Sequence, residues 1–200
     1  MSLPNLSLTD IANRVFTRVG INTITNVEGS QNQNAILFTS LYPQIRDQVL
    51  REHFWPFATK KSALELETEK PLYGFANAFS LPPEFVRLKD TSLDNTFPYE
   101  IERNRLLTDA ESVSITFVAN DITITEWDIL FFEALVVRLA FELVTALNKN
   151  EEQKAALFAE YQQKIKDARY IPSTEQNNPE PIFRNTITRA GGYRRRRRFL

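Results

Sequence analysis

Tyr193, the run Arg194-Arg195-Arg196-Arg197-Arg198, and Phe199-Leu200 form the stretch with the sharpest chemistry in this sequence. Five adjacent guanidinium groups repel one another and cannot all find partners locally, so they call for an acidic surface or a phosphate chain. The plainer reading is a solvated basic tail that serves solubility. Nuclear targeting would suit such a run, but nothing else in the sequence supports it. His53 is the only histidine, so a serine triad would have to use it as base. It lies between Glu52 and Phe54, just before Trp55-Pro56-Phe57, where a helix should end. A packed or helix-terminal imidazole is the reading preferred over a general base. Glu100 and Glu102 stand two apart and share a face if they lie on a strand. Like charges so placed either bind a cation and shift a pKa or form a solvated face.

The remaining composition narrows the chemistry. There is no cysteine, which removes disulfides, thiol catalysis and cysteine-ligated metals. Only five glycines occur, and Gly191-Gly192 precedes arginines rather than a helix, so no phosphate-cradling loop is present. The expectation is a protein with no catalytic residue, no cofactor and no metal. The start Met1-Ser2-Leu3-Pro4-Asn5 lacks the regions of a signal peptide. The longest apolar stretch, 127–147, carries Asp128, Glu133, Arg138 and Glu142, which argues against a membrane span. Net charge is −1, but it is unevenly spread. Residues 171–200 hold seven arginines against Glu175 and Glu180, a balance of +5, which leaves −6 on the rest. An acidic body with a basic tail points to a separate partner for the tail. With 42% hydrophobic and 24% charged residues, the body has enough apolar content for a core, and the fifteen phenylalanines are read mostly as core packing.

The elements that must position these residues show in the periodicity. Four helices are predicted, each after a capping pattern: Ser7-x-x-Asp10, Ser30-x-x-Gln33, Thr125-x-x-Asp128 and Asn150-x-x-Gln153. The first carries Leu8, Ile11, Ala12, Val15, Phe16 and Val19 on one stripe and stops at Gly20. The second spans 32–53 with Phe38, Tyr42, Ile45 and Val49 inward, and Pro43 predicts a kink or two abutting helices. The third, 126–148, is apolar nearly all round, so it is either central or shared with a neighbouring subunit. The fourth, 151–170, is given an inner face of Ala155, Phe158, Tyr161 or Gln162, Ile165 and Ala168. Between the second and third helices the period drops to two, and 62–66, 85–88, 99–102, 105–108 and 113–118 read as strands, with a tight turn at Arg103-Asn104. The predicted class is α+β: an antiparallel bundle of about four helices (1–56 plus 123–170), a small antiparallel β lobe inserted at 57–122, and an extended basic C-terminal tail, 171–200.

A series of short stretches carries a resemblance. Tyr42-x-x-x-Arg46-x-x-Val49-Leu50 leads into His53-Phe54-Trp55-Pro56-Phe57-Ala58 and Lys61-x-Ala63-Leu64. Phe79-x-Leu81-Pro82 and Tyr99-Glu100-Ile101-Glu102-x-x-x-Leu106-Leu107-Thr108 follow, and Trp127-Asp128 opens a helix with Phe131, Ala134, Leu139 and Ala140. This ordered set, over roughly residues 5–170, resembles the tail tubular protein A family of short-tailed bacteriophages. Pro56 departs from the family pattern, which has a small polar residue there, and the arginine-rich end is particular to this chain.

The resemblance implies a non-enzymatic virion protein of the phage tail, made in the bacterial host cytoplasm. It implies a homo-oligomeric ring of twelve copies between the portal protein and the tail nozzle protein, with double-stranded DNA passing through its lumen and no membrane partner. Tyr193, Arg194, Arg195, Arg196, Arg197, Arg198, Phe199 and Leu200 are the candidate docking residues for the portal or a neighbouring subunit; the alternative is that the arginines touch the DNA. Two other classes stay open: a nucleic-acid-binding protein led by the arginine tail, and a cell-wall hydrolase using a carboxylate pair.

Overall fold

A computed structural model of the chain describes residues 6–94, 96–147 and 150–175, the last five as backbone only. It is an α+β protein with four helices and two small antiparallel sheets. Helix α1 (Leu8–Val19) begins as its sequence demands. The Asp10 amide donates to Ser7 Oγ at 3.1 Å and the Ser7 amide donates to Asp10 Oδ2 at 2.9 Å, so two orphan donors are satisfied reciprocally. The stripe Ile11, Ala12, Val15, Phe16 and Val19 is buried. Gly20 takes φ +71°, and the amides of Gly20 and Ile21 turn back onto the carbonyls of Thr17 and Phe16, the left-handed stop that glycine permits.

The other caps differ in detail from the expectation. Helix α2 (Gln33–Glu52) is capped by Asn32, whose Oδ1 accepts from the Asn34 amide at 2.9 Å. Ser30 lies outside and supports the cap, accepting from the Asn32 amide at 3.2 Å. Pro43 sits inside one continuous helix rather than between two. An interior proline costs about 3 kcal/mol, and burial of Phe38, Ile45, Val49 and Leu50 along the same helix outweighs it at about 1.5–3 kcal/mol each. Helix α3 (Ile129–Ala146) starts three residues later than predicted. Thr123 and Glu126 form the reciprocal box, closing a 3-10 turn over Ile124–Glu126. Asp128 then caps α3 itself, accepting from the Leu130 amide at 2.7 Å. Helix α4 (Glu151–Glu175) has Asn150 Oδ1 accepting from the Glu152 amide at 2.9 Å. It runs past the predicted end at 170 and through Pro172. Its inner face is Leu157, Tyr161, Ile165 and Ala168. Ala155 and Phe158, assigned inward from the sequence, are exposed.

Helix α3 is central. It packs against α1, α2 and α4, and ten of its residues are buried. Cover for its all-round apolar surface therefore comes from its own chain. Its charges are paired: Glu133 with Lys164 of α4, and Arg138 with Glu142 one turn on. No helix among the described residues is long and apolar enough to cross a membrane.

The strands are β1 (Thr59–Ala63), β2 (Glu65–Leu66), β3 (Asn77–Ser80), β4 (Phe85–Thr91), β5 (Tyr99–Glu102), β6 (Arg105–Thr108) and β7 (Ser114–Ala119). Strand β3 was not anticipated. The single lobe divides into a three-stranded sheet, β1-β7-β4, and a four-stranded sheet, β2-β3-β6-β5, all antiparallel. Strand β7 joins two cores. Alternation along it sends Ile115, Phe117 and Ala119 into a cluster with Phe79, Leu81 and Leu106, while Val118 faces the helices. The β5–β6 turn is the predicted Arg103-Asn104, with Glu102 opposite Arg105. Arg103 takes φ +55°, an unusual conformation for a residue with a Cβ. Asn104 holds the turn by exchanging hydrogen bonds with the Leu81 backbone at 3.0 and 3.2 Å.

Candidate docking surface

The residues singled out as the docking site, Tyr193 to Leu200, lie outside the described residues, as does the rest of 176–200. Two of the stretches quoted above, the one around Trp55 and the one opened by Trp127, come together. After α2, Pro56 opens a 3-10 turn, Pro56–Ala58, where a proline's missing amide costs nothing; the departure from the family pattern is accommodated there. Trp55 is buried, and its indole N–H donates to the Val49 carbonyl at 3.0 Å. Phe131 of α3 meets Trp55, Phe57 and Trp127 with ring centroids 5.1, 5.2 and 5.0 Å apart, all edge-to-face. These aromatics hold the helices to the β lobe.

His53 belongs to the same junction. It is the C-terminal cap of α2, its ring stands edge-on to Trp55 at 4.8 Å, and its buried Nε2 has no hydrogen-bond partner among the described residues. Burial first, then the positive charges of Arg169, Arg87 and Lys89, hold its pKa below the usual 6.5. A depressed histidine pKa means the unfolded chain binds the proton more readily than the folded one. Stability is therefore expected to be level above pH 7 and to fall as pH drops below about 6.5, the unfolded value. No other histidine titrates in that window. Urea midpoints compared at pH 7.5 and 5.5 should differ in the parent and converge in His53→Gln; an equal drop in both would remove His53 as the cause.

Among the carboxylates, Asp10, Asp94 and Glu126 are each held below the ordinary range by hydrogen bonds from caps and turns, chiefly those of Ser7, Thr96 and Thr123. Glu100 and Glu102 do share a face of β5, as their spacing required. With Arg103 they line one side of an open cleft of about 420 Å³ whose other side is the loop carrying Leu72 and Tyr73. Arg105, also in that cleft, is paired with Glu67 at 3.0 Å.

What the sequence did not reveal is where apolar side chains remain exposed. Among the described residues ten large ones do, and six belong to the four-stranded sheet and its loops: Leu66, Leu72, Tyr73, Phe97, Tyr99 and Ile101. Leu72 is 99% exposed and Tyr73 88%, at a loop tip turned by Gly74 with φ +92°. Tyr99 and Ile101 alternate with the two glutamates and point to the core side of their sheet, but β5 is its edge, so they are only about half covered. Beside them lies a second hollow, about 470 Å³, lined by Phe97, Asp94, Asp109 and Glu111 and by no basic residue. Exposed apolar groups concentrated on one lobe and rimmed by charge are the mark of an interaction surface. No protein-family model matches the chain, and no curated protein matches it in sequence.

Proposed function

We propose that the chain is a structural virion protein of a short-tailed phage, the head-tail adaptor that joins portal to tail nozzle and forms part of the DNA ejection conduit. The observation that carries this reading is the gathering of exposed apolar residues on the four-stranded sheet, a surface for protein rather than for a small substrate. The resemblance of the ordered stretches to the tail tubular protein A family supplies the particular assembly, a ring of twelve. Under this reading the four helices form the antiparallel bundle of the ring wall, and 176–200 is the extended tail that engages a partner. The body's balance of −6 outside 171–200 supports a conduit over a DNA-binding protein, because a duplex finds no net counter-charge on it. The test is co-elution with the portal ring of the same phage at low salt. The adaptor is expected to move to the portal's elution volume; a chain that stays at its own volume contradicts the proposal.

A further inference from the structure

Four strands end the two sheets, and three of them carry devices that discourage a further strand. Strand β1 presents Lys60 and Lys61, β2 is two residues long, and β4 is broken by two register shifts. Strand β5 is regular and pairs with β6 alone among the described residues, so half of its amides and carbonyls face away from the sheet. One of its faces carries Tyr99 and Ile101, 45% and 39% exposed. The other carries Glu100 and Glu102, for which no ion pair exists among the described residues. Such an edge rejects an acidic or wholly apolar strand and admits one that puts apolar groups on one face and cations on the other.

The sequence contains a segment of that kind. Residues 183–187, Phe-Arg-Asn-Thr-Ile, include three β-favouring types and no acid. Over these five residues alternation would place Phe183, Asn185 and Ile187 on one face and Arg184 and Thr186 on the other. Its pattern becomes legible only beside β5: Phe183 and Ile187 match the Tyr99 and Ile101 face, and Arg184 matches the glutamates. We propose that β5 of one copy receives residues 183–187 of a second copy as an added strand. The proposal rests on the ring reading. An edge on one copy and a strand from the next are different surfaces, and a heterologous contact of that sort is what closes a ring. Strand addition of this type takes affinity from the main chain and specificity from alternate side chains.

The chain has no cysteine, which makes cross-linking decisive. Full-length Ile101→Cys and Ile187→Cys chains, distinguishable by tag, are mixed, assembled on the portal ring and treated with a short bismaleimide. Heterodimers are expected. A control pairing Ile101→Cys with Lys166→Cys, on an exposed position of α4, should give none. The double variant Glu100→Lys with Glu102→Lys should lower the yield about tenfold, as attractive cross-strand contacts become repulsive, and adding Arg184→Glu should restore it. If the ring forms and no heterodimer appears, the strand contact is wrong and the ring reading stands. A chain bearing both cysteines that cross-links only within itself overturns the second-copy assignment. If no ring forms on the portal, the ring reading fails and this contact fails with it.

Discussion

Phe131→Ala is expected to cost the fold about 3–5 kcal/mol, the range for removing a fully buried phenylalanine. Phe131 has no exposed surface. It is the ring on which Trp55, Phe57 and Trp127 converge edge-on, and each such pair is worth about 0.5–1.5 kcal/mol beyond its buried area. The cavity would open where α3 begins and where the chain leaves α2 for the β lobe, so neither side can close it alone. Against a typical total of about 5–15 kcal/mol, the loss would leave a marginal protein. Phe158→Ala is the comparison. That side chain is 42% exposed, and its one ring contact among the described residues is with Phe141 at 5.5 Å, so its loss should cost under about 1 kcal/mol. Urea unfolding of both variants measures the contrast. Equal midpoints would mean that the aromatic junction does not hold the two lobes together.

Replacing Arg194 to Arg198 with five alanines is expected to leave the fold unchanged and to weaken assembly on the portal at least about a hundredfold. Both cores of the described residues are built within 6–168, so thermal unfolding should match the parent. Removing a charge from a desolvated contact costs about 2–5 kcal/mol, so the loss of one well-docked arginine would already reach that factor. Assembly of the parent should also weaken with salt. DNA affinity, measured on the same two proteins, separates the tail's two possible partners. Unchanged DNA binding with failed assembly places the arginines on protein. Lost DNA binding with intact assembly places them against the duplex and overturns the docking role.

Local signals were the legible ones. Ser7, Asp10 and Gly20 announce both ends of α1 because each acts on its immediate neighbours. The Arg103-Asn104 turn was legible from the strands on either side. Features set by long-range packing were harder to see. The inner face of α4 was assigned to Ala155 and Phe158, but the helix meets α3 along Leu157, Tyr161 and Ile165, a register that depends on the partner. At Tyr161 the partner is poorly matched: the hydroxyl is buried with no hydrogen bond of good geometry, and burial together with the nearby Glu52 carboxylate pushes its pKa up. Strand β3 was missed because Asn77-Ala78-Phe79-Ser80 has no β-branched residue and owes its conformation to pairing with β2 and β6. The exposure of Tyr99 and Ile101 had no sequence signal, since Tyr99-Glu100-Ile101-Glu102 reads alike in a central strand and at an edge. Helix α3 is the instructive case. Its apolar surface was compatible with burial at a subunit contact, yet α1, α2 and α4 supply its cover. The apolar surface left for a neighbour lies on the β lobe instead.

The most direct test of the adaptor proposal is the solution mass of the purified full-length chain, alone and with its portal ring, by light scattering. A mass of 23.2 kDa is expected for the chain alone, because a weak neighbour contact becomes strong only when its partners are held in place. On the portal the expected gain is twelve copies of 23.2 kDa, about 278 kDa. A portal mass that does not change, even at low salt, would contradict the adaptor function outright.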